Sequence, residues 1–114
     1  MRVLLIDDEK ELVTTLSERL DLRGIANDWA TSGEAGLELT KLNDYDCVVV
    51  DLKMPGLGGL ETVKAIKQEQ PATKVIILTG HSSGEDINDA MDLGAYRYMV
   101  KPVDIEDLLA IMQN

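Results

Sequence analysis

Apolar positions along this chain recur with two alternating periods. Short β-branched or leucine-rich runs occur at residues 3–6 (Val-Leu-Leu-Ile), 47–50 (Cys-Val-Val-Val) and 75–78 (Val-Ile-Ile-Leu). Runs this short and this uniformly apolar predict strands buried on both faces, the kind found in parallel sheets. Residues 25–30 and 95–100 are weaker strand candidates. Between the runs lie segments with helical spacing. Leu12, Leu16 and Leu20 recur every fourth residue, and Gly24 follows as a stop. Leu60, Val63 and Ile66 recur every third, with Pro71 beyond them; Ile87, Ala90 and Met91 share a face before Gly94. Ile105, Leu108, Leu109 and Met112 make a last helix. Residues 34–42 are placed in a helix by position more than by pattern, because Gly36 weakens the segment.

The order is strand then helix, five times over. That alternation predicts an α/β fold, a doubly wound parallel sheet with helices on both faces, as a single domain over residues 1–114. A chain of 114 residues with 45% hydrophobic content can bury a core without disulfides or a structural metal. The lone cysteine, Cys47, lies inside an apolar run and reads as a buried, inert thiol.

Charge narrows the function classes. The formal net charge of −10 argues against direct contact with nucleic acid, whose phosphates attract Lys and Arg. Most of the acids are expected to keep the surface soluble, but carboxylates clustered around a divalent cation would leave the same imprint. The apolar run at 3–6 is too short for a signal peptide, and no stretch approaches transmembrane length. The expectation is a cytoplasmic protein with no membrane partner.

Open parallel α/β sheets bind ligands beyond the carboxyl ends of their strands, so the residues following each run carry the argument. Asp7, Asp8 and Glu9 follow the first; Asp51 and Lys53-Met54-Pro55-Gly56 follow the third. Thr79 and Gly80 follow the fourth, and Lys101 and Pro102 the fifth. Singly, each has a plainer reading: acids favoured at a helix start, a turn-forming Asp, a capping Thr, a surface Lys. Together, four strands deliver the carboxylates of Asp7, Asp8 and Asp51, the Thr79 hydroxyl and the Lys101 ammonium to one edge. Crowded carboxylates raise one another's pKa unless a cation compensates. Mg²⁺ (or Mn²⁺) suits a site of one or two carboxylates plus water and phosphate oxygens. A carboxylate beside such an ion can attack phosphorus, while Lys101 and Thr79 meet the charge on the transferred group.

Asp7-Asp8, Val50-Asp51-Leu52-Lys53-Met54-Pro55-Gly56, Leu78-Thr79-Gly80-His81 and Tyr98-Met99-Val100-Lys101-Pro102 resemble the signatures of response-regulator receiver domains. The resemblance covers essentially the whole chain. It implies a flavodoxin-like sheet of order 2-1-3-4-5 and a phosphoryl group accepted on Asp51 from a histidine kinase, a phosphotransfer protein or a small phosphodonor. On this resemblance Asp8, Asp51 and the backbone carbonyl of Lys53 bind Mg²⁺, and Asp7 reaches it through water. Lys101 contacts the phosphoryl oxygens, and the Lys101–Pro102 peptide is cis. Thr79 and Tyr98 form a switch that repacks the face made by the fourth helix, fifth strand and fifth helix, which a downstream effector domain or protein reads. Lys53 and His81 tune the lifetime of the phosphoryl group. Such a domain signals rather than acting as an enzyme on other substrates.

Two departures stand out. Leu57-Gly58-Gly59 occupies the place where the family often starts its third helix with Asp or Asn, so that helix start is expected to be loose. The last helix ends early, which would fit a segment of a longer regulator. Three rival classes fit less well. An aspartate-nucleophile phosphatase usually has a second Asp where Lys53 stands. A flavodoxin-like cofactor binder needs a phosphate-cradling loop where this chain has acids. An interaction module independent of phosphorylation would not need Asp7, Asp8, Asp51, Thr79 and Lys101 together.

Overall fold

The computed structural model describes residues 1–80 and 84–114. Strands β1 (Arg2–Ile6), β2 (Ala26–Ala30), β3 (Cys47–Asp51), β4 (Lys74–Thr79) and β5 (Arg97–Val100) alternate with five helices. These are α1 (Lys10–Leu22), α2 (Gly33–Leu42), α3 (Gly59–Glu69), α4 (Gly84–Asp92) and α5 (Ile105–Gln113). All four strand pairings are parallel, in the order β2-β1-β3-β4-β5. The doubly wound sheet expected from the alternation is therefore present.

Alternate residues of the central strands face opposite layers, as strand geometry requires. Val3, Leu5, Cys47, Val49, Ile76 and Leu78 pack with Val13, Leu16 and Leu20 of α1 and with Leu108 and Met112 of α5. Leu4, Ile6, Val48, Val50, Val75 and Ile77 pack with Val63 and Ile66 of α3 and Ala90 of α4. Cys47 is buried in the first of these clusters, and burial pushes its thiol up to about 12. The two weaker strand candidates are the sheet edges, which explains their weak pattern. β2 buries only Ala30, and β5 is exposed at Arg97, Tyr98 and Val100.

Three local expectations are corrected. Met91 does not share the buried face of α4; Ala90 is fully buried while Met91 is exposed. Gly36 is required rather than merely tolerated in α2. A Cβ there would lie 2.3 Å from Ile6 Cδ1, so the helix reaches the sheet only without a side chain. The start of α3 is tight rather than loose. A Cβ on Gly59 would lie 2.4 Å from Leu52 Cα and 2.5 Å from the Asp51 carbonyl oxygen, and Gly59 N donates to Leu52 O at 3.2 Å.

Candidate functional site

The register of the sheet brings the strand ends into line. Ile6 pairs with Val50, Asp51 with Leu78, and Thr79 with Val100. The chain beyond each strand is held by further backbone bonds: Asp7 N donates to Ala30 O (3.2 Å), Leu52 N to Leu78 O (3.1 Å) and Lys101 N to Thr79 O (2.8 Å). Asp7, Asp51 and Lys101 thus start from fixed backbone, and the side chains meet. Each of Asp7, Asp8 and Asp51 offers a carboxylate oxygen such that all three atoms lie within 4.8 Å of one another. Asp8 and Asp51 line a cleft of about 640 Å³ together with Lys53, Gly80 and Lys101, while Asp7 is buried.

Among the described residues, Lys101 is the cation paired with this cluster. Its Nζ lies 2.8 Å from Asp7 Oδ2, 2.7 Å from Glu9 Oε1 and 3.5 Å from Asp51 Oδ2. Burial alone would lower the Lys101 pKa, but the bonds to Asp7 and Glu9 and the field of Asp51 reverse that and raise it above its ordinary value. Asp7 and Asp51 are pushed the other way. Burial raises both; for Asp51 the charge of Asp7 raises it further, and Lys101 offsets only part. Two backbone donors also reach these carboxylates: Glu9 N gives 2.9 Å to Asp7 Oδ1, and Lys53 N gives 3.3 Å to Asp51 Oδ1.

The donor set fits a hard divalent cation. Three carboxylates offer oxygen ligands of the kind Mg²⁺ or Mn²⁺ takes. Asp7 Oδ2 is buried, and its partner among the described residues is the Lys101 ammonium, 2.8 Å away. One ammonium facing Asp7, Glu9 and Asp51 leaves the cluster with surplus negative charge, which a divalent cation would offset.

The other predicted residues stand as follows. Thr79 is buried at the end of β4, and Tyr98 is 48% exposed on β5. Lys53 is exposed at the cleft, the Lys101–Pro102 peptide is cis, and His81 lies outside the described residues. Glu9 was missed as a site residue. Its place directly after the two acids was the available signal, but nothing in the sequence ties it to a lysine 92 positions away.

A family model described as "Response regulator receiver domain" matches residues 3–113. This chain belongs to that family. Among curated relatives, it is 37% identical over 108 residues to "Response regulator ArlR" of Staphylococcus haemolyticus, covering 95% of the chain and 49% of the relative. It is 33% identical to "Uncharacterized transcriptional regulatory protein YkoG" of Bacillus subtilis, covering 95% and 47%. The chain therefore spans about half the length of these relatives. Among solved structures, a Burkholderia pseudomallei response regulator with a phosphorylated aspartic acid, calcium ion and citrate matches with TM-score 0.93 and 30% identity, over 99% of this chain and 66% of that one. The chemotaxis protein CheY4 of Vibrio cholerae matches with TM-score 0.91 and 29% identity, over 98% and 95%. The receiver domain is thus a phosphorylation-dependent signalling module of two-component systems. Among the described residues no helix is long and apolar enough to cross a membrane.

Proposed function

We propose that this receiver domain accepts a phosphoryl group on Asp51 and uses it as a conformational signal in the cytoplasm. The observation that carries the reading is the cluster of Asp7, Asp8 and Asp51 with Lys101 paired to two of them. Asp8, Asp51 and the backbone carbonyl of Lys53 would hold Mg²⁺ or Mn²⁺, with Asp7 acting through water. When bound, such an ion neutralises charge on the transferring phosphoryl oxygens.

The chain's own residues do the rest. An Asp51 carboxylate oxygen attacks phosphorus, forming an acyl phosphate. The phosphorus–nitrogen bond of a phosphohistidine, or the phosphorus–oxygen bond of a small donor, breaks with its electron pair leaving on the donor. The donor is a histidine kinase or phosphotransfer protein. Lys101, already 3.5 Å from Asp51, shifts its partnership toward the new dianion. The Thr79 hydroxyl donates to a phosphoryl oxygen, and Tyr98, now exposed, turns inward. That changes the face formed by α4, β5 and α5, which an effector domain or protein reads, without direct contact of this domain to nucleic acid. Lys53 and His81 set how fast water removes the group. The domain is no enzyme toward other substrates.

Incubation with Mg²⁺ and acetyl phosphate or phosphoramidate tests this. Intact mass should rise by one phosphate, and Asp51→Asn should abolish the rise. An unchanged wild-type mass, or a full rise in the Asp51→Asn protein, would overturn the reading.

A further inference from the structure

The loop that carries Lys53 is held by α3 on one side and by α2 on the other. This inference rests on the cation site proposed above. The loop runs from β3 to α3 and turns through Gly56, at φ +75°. The residue capping α3 is Gly58, which has no side chain to bond the helix's first N–H groups.

A further hold comes from α2. Glu34, in the first turn of α2, accepts a hydrogen bond at Oε1 from Leu57 N at 2.8 Å. The same carboxylate lies against Gly56, whose built Cβ would stand 3.2 and 3.4 Å from its two oxygens. Gly33 permits the approach: a Cβ there would lie 2.9 Å from the Leu57 carbonyl oxygen and 2.3 Å from Thr62 Oγ1. Thr62 Oγ1 in turn donates to Gly58 O at 2.9 Å. Two helices therefore grip the loop at successive residues, α2 through Glu34 and α3 through Thr62.

We propose that Glu34 is a positioning residue for the cation site. It straps the β3–α3 loop so that the backbone at Lys53 is held ready for the ion. Its role is that of a hydrogen-bond acceptor, not of a nearby charge. Groups that orient ligands in this way set affinity without touching the metal.

The test is calorimetric titration of the 114-residue protein with MgCl₂, alongside amide hydrogen exchange at Leu57. Glu34→Ala should weaken Mg²⁺ binding by about three- to tenfold, the scale of one partly exposed hydrogen bond, and should speed exchange at the Leu57 amide. Glu34→Gln keeps the acceptor and should stay within about twofold of wild type on both readouts. The Ser32 cap of α2, bonded to Ala35 N at 3.1 Å, is untouched by either change. Wild-type affinity and wild-type Leu57 exchange in Glu34→Ala would overturn the strap. Equal weakening by Glu34→Gln would also overturn it, assigning the effect to charge. If the wild type binds Mg²⁺ and Asp51→Asn does not, the cation site stands whatever Glu34 does; if the wild type does not bind, both readings fall.

Discussion

The two ends of the sheet treat their polar groups in opposite ways. At the amino end, donors and acceptors are matched. Tyr45 OH donates to Asp28 Oδ2 at 2.6 Å, and Arg2 pairs with the same oxygen at 3.0 Å. Thr73 Oγ1 donates to Tyr45 O at 2.7 Å, and Gln70 Nε2 donates to the carbonyls of Thr40 and Asn43. At the carboxyl end, three carboxylates crowd together, and the Lys101 ammonium is divided among Asp7, Asp51 and Glu9. One end is built as a finished structure. The other holds unspent electrostatic potential, which is what a site for a cation and a phosphoryl group requires.

The contrast has a pH signature. The bond from Tyr45 lowers the Asp28 pKa below its ordinary 3.8, with Arg2 helping against burial. Asp28 therefore adds stability at neutral pH that is lost as pH falls through its folded value. Asp7 and Asp51 are raised by burial, so their contribution is greatest when they are protonated and is lost as pH rises through their folded values. Lys101, whose pKa is raised, stabilises through the neutral range, and that stability is lost only as pH rises through its elevated folded value.

The largest expected effect follows from removing that compensation. Without metal at neutral pH, Lys101→Ala should cost about 3 kcal/mol in chemical denaturation, because it strands buried Asp7 beside Asp51. Mg²⁺ should restore part of the loss. A cost no larger than that of an ordinary surface substitution would erase the contrast between the ends. At the amino end, Tyr45→Phe should cost about 1.5 kcal/mol by removing a donor to a carboxylate, and Mg²⁺ affinity should not change. A shift in affinity there would mean that the ends are coupled.

Much of this was legible in the chain. Strands β1, β3 and β4 were plain because they are buried on both faces and so uniformly apolar. The site was legible because a parallel sheet brings every strand's carboxyl end to one edge, so Asp7, Asp51, Thr79 and Lys101 could be gathered by position alone. The rest depends on tertiary approach. Gly36 and Gly59 looked like weak helix residues, and only the closeness of Ile6 and Leu52 makes them necessary. Arg2, Asp28 and Tyr45 form their clasp across two strands and a loop, and the reach of Glu34 to Leu57 spans 23 positions. No local period encodes either.

The most direct measurement is the melting temperature of wild type and Asp51→Asn at pH 7, each with and without Mg²⁺. Relief of like-charge crowding should make metal-free Asp51→Asn melt a few degrees higher than wild type. Mg²⁺ should raise the wild-type midpoint and leave that of Asp51→Asn nearly unmoved. A metal-free Asp51→Asn protein that melts lower, with Mg²⁺ shifting both proteins equally, would contradict the account.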